Sequence, residues 1–204
     1  MIGTELAPGL WRWTDYHPDW REDVGCVALL RGDDLVLVDP LLSAEDEWEK
    51  LARASQGRAL HVVLTVHWHA RSAAEVLARF PQARVWAHAT GAAPVRRRTP
   101  VTDTFRPGDP LPAGIEAYPG RPRNEVVFWD TAAGAVLPGD VLLGDPDGGV
   151  RMCPASWLPS SATIGQLREK LLPLLDLPVE MVLVSHGEPV LSDGHAALAA
   201  ALDT

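Results

Sequence analysis

Residues 60–75 read LHVVLTVHWHARSAAE. Five of the first seven residues are apolar and four are β-branched, which predicts a buried strand. His67 and His69 follow directly, and two imidazoles just past a strand end can converge on one metal ion. The pattern Ser72-x-x-Glu75 then predicts a capping box and a helix that begins there. The two histidines are therefore expected on a strand-to-helix loop.

Composition and charge limit the class of protein. The chain has 204 residues, 47% of them hydrophobic and 22% charged, which is typical of a globular protein, and we expect a single domain over residues 1–204. A formal charge of −9 disfavours a nucleic-acid partner. No apolar run approaches the ~20 residues of a membrane span and the first residues lack a basic, apolar leader, so we expect a cytoplasmic protein without a membrane partner.

Cysteines and tryptophans add smaller signals. Cys26 and Cys153 lack the CxxC spacing, which favours two unpaired, buried residues over a disulfide. Eight tryptophans are present beside three phenylalanines. Core packing is the default for any one of them, but some are candidates for lining a groove. These candidates are Trp11, Trp13, Trp20 and Trp157.

Each half of the chain gives strands and then a helix. Two apolar runs separated by Gly32-Asp33-Asp34 predict a hairpin, and an acidic first turn follows Ser43 at the start of a helix. In the second half, Thr163-x-x-Gln166 predicts another capping box, in a helix that Pro173 should bend or shorten. We therefore predict an α+β fold, a four-layer αββα sandwich of two mixed β-sheets flanked by helices.

Four polar residues follow apolar strands directly. One such residue is more often a cap or a loop hydrogen-bonder than a ligand, but ligand sites favour the carboxyl edge of a sheet. Together with the His-x-His pair, they make a metal site a hypothesis. His88 also ends a strand, where a single histidine is more often a structural hydrogen-bonder. The four residues are Asp39, His67, Asp140 and His186.

The stretch from His67 to Ser72 resembles the His-x-His-x-Asp-His signature of the metallo-β-lactamase superfamily, with Arg71 and Ser72 in place of the Asp and the last His. The segment ending in Gly139-Asp140 is similar to the family's Gly-Asp element, whose Asp bridges two metals. His186-Gly187 is similar to its late His-Gly element. The resemblance covers nearly the whole chain and implies the same αββα sandwich.

Two more positions complete the resemblance. Asp39 resembles the strand-end Asp that supports the family's site, and Arg121 falls where the family has the His of Pro-Gly-His. The resemblance thus keeps four of seven ligand positions, His67, His69, Asp140 and His186, and implies no metal or one Zn²⁺ or Fe²⁺ ion rather than two. Arg71 and Arg121 either face solvent or replace the lost cations by pairing with Asp39 or Asp140.

Two functions follow from this pattern. In the first, the chain has lost the dinuclear hydrolase chemistry and binds a small ligand in its cleft, with Arg71 and Arg121 favouring an anion. In the alternative, one metal ion supports hydrolysis of an ester, lactone, thioester or amide. A purely structural role stays open as a third reading.

Overall fold

A seven-stranded sheet forms the first half of the chain. The computed structural model describes residues 1–122 and 124–203. The strands of this sheet lie side by side in chain order. They are β1 (Thr4–Ala7), β2 (Leu10–His17), β3 (Glu22–Arg31), β4 (Asp34–Val38), β5 (Ala59–Val63), β6 (Arg84–His88) and β7 (Asp103–Phe105).

The first sheet changes from antiparallel to parallel in its middle. β1 to β4 pair antiparallel, and the hairpin predicted at Gly32 joins β3 to β4. β4 to β7 pair parallel, so helices connect them. Because parallel strands point the same way, the residues that follow β4 and β5 meet at one sheet edge. The connecting helices are α1 (Glu45–Ala54), α2 (Ala73–Arg79) and α3 (Ala92–Val95).

A four-stranded sheet and a two-stranded ribbon form the second half. The strands are β8 (Glu116–Pro119), β9 (Val126–Asp130), β10 (Ala135–Leu137), β11 (Leu142–Gly144), β12 (Val150–Met152) and β13 (Met181–Val182). The sheet order is β13-β10-β9-β8, with β13 parallel to β10, and β11 pairs with β12. The helices of this half are α4 (Ile164–Leu171) and α5 (Gly194–Asp203).

Alternating side chains divide the core into three apolar layers. Leu29 of β3 packs with Phe128 of β9 between the two sheets. Its neighbour Ala28 faces the other way, into a layer that contains residues of α1 and α2. On the far side of the second sheet, Trp129 packs with residues of α4 and α5. The period of two along each strand produces this arrangement, and it confirms the predicted αββα sandwich.

Local signals had mixed outcomes. The Thr163 capping box is present, with Thr163 Oγ1 accepting from Gln166 N at 3.2 Å, and α4 gives way to a 3₁₀ turn that contains Pro173. Both cysteines are free and buried, as predicted.

The capping box predicted at Ser72 is wrong, because Ser72 Oγ accepts instead from Leu42 N at 3.0 Å. The described residues include no helix long and apolar enough to cross a membrane.

Candidate functional site

His69 is the buried centre of the site. It is 0% exposed and lies in a 3₁₀ turn, His67–Ala70, rather than in an extended loop. Its Nδ1 lies 2.8 Å from Oδ2 of Asp39, at the end of β4. Its Nε2 lies 3.1 Å from Oδ1 of Asp140, in the loop after β10. The ring is therefore held between two carboxylates.

His186 completes a three-residue cluster with His69 and Asp140. Nε2 of His186 lies 3.2 Å from Oδ1 of Asp140, and one ligand atom from each of the three residues lies within 4.8 Å of the others. Nε2 of His69 and Oδ1 of Asp140 are buried and lie close enough for an ion pair, but neither forms a well-aligned hydrogen bond among residues 1–122 and 124–203. Donor atoms that converge without bonding to one another are typical of a metal site.

The structure does not bring His67 into this cluster. A 3₁₀ turn has three residues per turn, so side chains two apart point in different directions, whereas an extended loop would align them. His67 instead bonds to the Asn124 side chain and lines a closed space beside His88. The expectation that His67 and His69 converge therefore does not match the geometry of the turn.

His88 also lies outside the cluster. Its Nδ1 is 2.8 Å from Thr90 Oγ1, which ties the end of β6 to its own loop. Burial lowers the pKa of His88 and also that of His67, so both rings favour the neutral form. Ser72 is equally a structural residue in this geometry, since its side chain anchors the Pro40–Leu42 loop beneath the site.

The second oxygen of Asp140 is bound by protein donors. Trp68 Nε1 donates to Oδ2 at 2.7 Å, and Arg121 Nη2 donates to the same oxygen at 3.4 Å. Nε of Arg121 also donates to Glu125, and the main-chain N–H of Asp140 donates to the other Glu125 oxygen at 2.6 Å. The Arg121 guanidinium lies over the rings of Trp68 and Trp157, 4.8 and 5.9 Å from their centroids. The pairing predicted for Arg121 is thus present.

Arg71 has a different role. Its Nη1 donates to the main-chain oxygens of Asp39 at 2.8 Å and Gly25 at 3.3 Å, rather than to the Asp39 carboxylate. The guanidinium carbon lies 5.4 Å from the centre of the Trp20 ring. With a φ of 30°, Arg71 adopts a conformation that is rare for residues other than glycine. Arg71 therefore ties its own loop to β3 and to the end of β4, and it does not replace a metal ion at Asp140.

Charges alternate through the buried part of the site. Burial opposes protonation of His69, but the carboxylates of Asp140 and Asp39 outweigh it and raise the pKa of His69 to about 9. The pKa of Asp140 is lowered, because His69 and His186 outweigh the effect of burial. Burial raises the pKa of Glu125 to about 7 against the opposing effect of Arg121. Asp39, His69, Asp140 and Arg121 thus form a row of alternating charge.

An open cleft of about 500 Å³ lies above this row. Trp20 forms one wall, with its ring 5.6 Å from His69 and 5.5 Å from His186, and stacks on His17 at 4.1 Å. We call this space the tryptophan cleft. Its lining residues are Trp20, Glu22, Trp68, Arg121, Asp140, Trp157 and His186.

Two tryptophans of this lining were predicted from the sequence. Trp20 and Trp157 were candidates for a groove, whereas Trp13 lies in the core and donates to Leu41 O. Trp68 was missed, although its position between the two histidines was a signal. No sequence pattern indicated Glu22. It joins the site only through the fold, which places it in the cleft lining and 3.1 Å from His186 Nδ1.

The chain belongs to the metallo-β-lactamase superfamily. The family model of that description matches residues 4–204. No curated protein matches the chain significantly.

Solved structures with the same fold include three bacterial proteins. A metallo-β-lactamase family protein from Thermus thermophilus has 18% identity and a TM-score of 0.67, over 98% of this chain and 80% of the other. A metallo-β-lactamase from Hirschia baltica has 16% identity and a TM-score of 0.69, over 98% and 95%. The enzyme FIM-1 from Pseudomonas aeruginosa, in a mono-zinc form, has 13% identity and a TM-score of 0.71, over 98% and 93%. At these identities the likeness shows the fold alone.

Three of the residues described above offer ligand atoms that suit a metal ion. His69, Asp140 and His186 could hold one ion through two imidazole nitrogens and a carboxylate oxygen, a donor set that Zn²⁺ accepts. A second ion beside Asp140 would lie near the Arg121 guanidinium, which occupies Oδ2 and repels cations. Among the described residues, the three therefore form a partial metal-binding cluster beside a bound guanidinium.

Proposed function

We propose that this protein lacks dinuclear hydrolase chemistry and binds a small organic ligand in the tryptophan cleft. The observation that carries the proposal is the position of Arg121, between Glu125 and Asp140 and against two tryptophan rings. Its side chain is only 6% exposed, so the cation is a fixed part of the site. A buried guanidinium takes the place that the resemblance gives to a zinc-binding histidine.

Charge balance supports this proposal. A carboxylate transferred from water to a protein interior is costly unless a cation accompanies it. Here Asp140 contacts Arg121 as well as His69, and Asp39 contacts His69. The protein itself thus supplies the positive charge that metal ions would otherwise contribute.

The walls of the cleft favour a planar ligand. Trp20, Trp68 and Trp157 offer ring faces on which a flat molecule can stack, and such contacts contribute about 0.5–1.5 kcal/mol beyond area burial. The anion favoured by the sequence has less support. Arg71 does not line the cleft, and the donors of Arg121 already face Glu125, Asp140 and the Trp157 carbonyl.

Three indole derivatives that differ in charge test this proposal. Indole, indole-3-acetate and tryptamine are neutral, anionic and cationic probes, and saturation-transfer NMR reports their binding. We expect indole to bind, and the Trp157→Ala variant to weaken it by about tenfold or more, since stacking on an aromatic ring is lost. Trp48→Phe is the control, because Trp48 packs in the core beside α1. Tighter binding of indole-3-acetate than of indole would favour an anionic ligand, and tighter binding of tryptamine a cationic one. No binding of any probe would refute the proposal.

A mononuclear hydrolase is the second candidate. It is favoured by Nε2 of His69 and Oδ1 of Asp140, which converge with His186. A bound divalent ion would supply Lewis-acid activation of a carbonyl substrate and of water. Metal analysis of protein purified without chelator and without added zinc separates the candidates. The enzyme would be favoured by close to one equivalent of metal together with chelator-sensitive hydrolysis of an ester, lactone, thioester or amide. We expect neither the bound metal nor the hydrolysis.

A further inference from the structure

Three consecutive arginines after α3 form a second candidate binding site, separate from the tryptophan cleft. Arg96, Arg97 and Arg98 are all exposed. They line a surface hollow of about 440 Å³ together with Thr99, Pro100 and Val101. We call this hollow the arginine hollow. Within the described part of the chain, none of its three guanidinium groups forms an ion pair with a carboxylate.

This concentration of positive charge contrasts with the acidic balance of the whole chain. The chain carries 27 acidic residues against 18 basic ones. Several arginines elsewhere pair with acids, as in Arg79 with Glu45 at 2.7 Å and Arg31 with Asp130 at 2.7 Å. In the arginine hollow, Arg98 Nη1 donates to the main-chain oxygen of Trp68 at 3.5 Å, which is a neutral acceptor and not a carboxylate. Three adjacent cations are thus left available to an external anion.

Thr99 gives the hollow a second polar feature. It is only 2% exposed, and its Oγ1 has no hydrogen-bond partner among the described residues. Buried hydroxyl groups are normally paired, so an unpaired one beside three arginines is a notable exception. This hydroxyl is closed off from solvent, so the three guanidinium groups are the donors that a bound oxyanion would meet.

The backbone of the hollow is fixed before any ligand arrives. The N–H groups of Arg96, Arg98 and Thr99 donate to carbonyls of Ala92 and Val95, at 2.8 to 3.0 Å. Val95 itself is 0% exposed and anchors the turn in the core. A fixed backbone lowers the entropy cost of binding, since only the arginine side chains need ordering.

From these observations we infer that the arginine hollow binds the phosphate group of a small molecule. Guanidinium groups match phosphate oxygens by paired hydrogen bonds, and a phosphate carries more charge than a carboxylate. A nucleic acid fits less well, because the basic surface is limited to three residues on a chain of net charge −9.

Calorimetric titration with inorganic phosphate, pyrophosphate and glucose 6-phosphate tests this inference. We expect saturable binding of one ligand per chain. The variant Arg96→Gln/Arg97→Gln/Arg98→Gln should weaken it at least about tenfold, because charge-assisted hydrogen bonds are lost. Thr99→Val, which removes only a hydroxyl that is closed off from solvent, should leave binding within about twofold. Circular dichroism verifies that each variant is folded.

A charge-matched variant provides the control. Arg58→Gln/Arg106→Gln/Arg151→Gln removes three exposed arginines elsewhere and should leave binding within about twofold, because the net charge changes equally. Equal losses in both triple variants would indicate diffuse attraction and overturn the inference. So would the absence of saturable binding to the wild type, or an oligonucleotide that binds about tenfold tighter than pyrophosphate.

Discussion

The indole N–H of Trp68 donates to Oδ2 of Asp140 over 2.7 Å, and this contact joins the His-x-His turn to the loop after β10. The same oxygen faces Arg121, whereas Oδ1 faces the two imidazoles of His69 and His186. The two sides of one carboxylate therefore differ. One side is closed by protein donors, and the other has the geometry of a ligand for one ion.

Replacing Trp68 by Phe tests the importance of this contact. The substitution keeps an aromatic ring beneath Arg121 but removes the donor to a carboxylate that is only 4% exposed. We expect a loss of about 1.5–3 kcal/mol in the free energy of unfolding, the usual contribution of a hydrogen bond to a charged group. Urea denaturation with chelator present measures it. Trp157→Phe, at a residue that is 44% exposed, should change stability by no more than about 0.5 kcal/mol.

Replacing Arg121 by Ala should have a larger effect. It leaves Asp140 and Glu125 buried without their shared cation, and breaking a buried ion pair typically costs about 3–5 kcal/mol. Arg71→Ala should cost less, about 1–3 kcal/mol, since Arg71 donates to main-chain oxygens rather than to a carboxylate. Denaturant midpoints with chelator present, with the exposed Arg151→Ala as control, rank the three variants. An Arg121→Ala curve that overlays the wild type would show that Arg121 does not compensate Asp140.

The fold could be predicted from residue patterns, but the site could be predicted only in part. Alternating apolar residues and strand-to-helix order were sufficient for the αββα sandwich, because burial on each sheet face depends on local sequence. Asp140 and His186 could be placed near each other because both follow strands. The direction of the His67 side chain could not be predicted, since it depends on a 3₁₀ turn that the sequence pattern does not reveal.

Ser72 illustrates the other limit. Its pattern with Glu75 satisfies every local requirement of a capping box. In the structure its hydroxyl bonds to Leu42 N, thirty residues earlier, because the loop after β4 needs an acceptor at that point. A local motif was replaced by a long-range contact, and only the folded chain reveals this competition.

Replacing Arg121 by His should increase zinc affinity. The change removes a guanidinium that lies 3.4 Å from Asp140 and offers a new imidazole beside a cluster that already holds His69 and His186. We expect Zn²⁺ to bind at least about tenfold tighter than to the wild type, as measured by competition with a chromophoric chelator.

The Arg121→Gln variant separates the loss of the positive charge from the gain of a zinc ligand. It removes the positive charge without adding a zinc ligand, so it should gain less affinity than Arg121→His. Wild-type affinity in both variants would show that Arg121 does not oppose a metal ion at this cluster.

His61, in β5 and remote from the site, gives stability a dependence on pH. Its Nδ1 accepts from Trp86 Nε1 at 3.1 Å, so a proton on Nδ1 would break this bond. Burial lowers the pKa of His61 below its ordinary value of about 6.5, although Asp34 partly opposes the shift. As the pH falls below about 6.5, the unfolded chain therefore binds a proton that the folded chain excludes, and the free energy of unfolding decreases.

The His61→Phe variant isolates this effect. The other histidines titrate equally in both proteins, so only the part of the slope that is due to His61 should disappear between about pH 5 and pH 7. Urea unfolding at several pH values in that window measures both slopes. Leu191→Ala, a change at an exposed residue without a titratable group, should keep the wild-type slope. If His61→Phe also keeps it, His61 binds its proton equally in the folded and unfolded chains, and the bond with Trp86 does not control its titration.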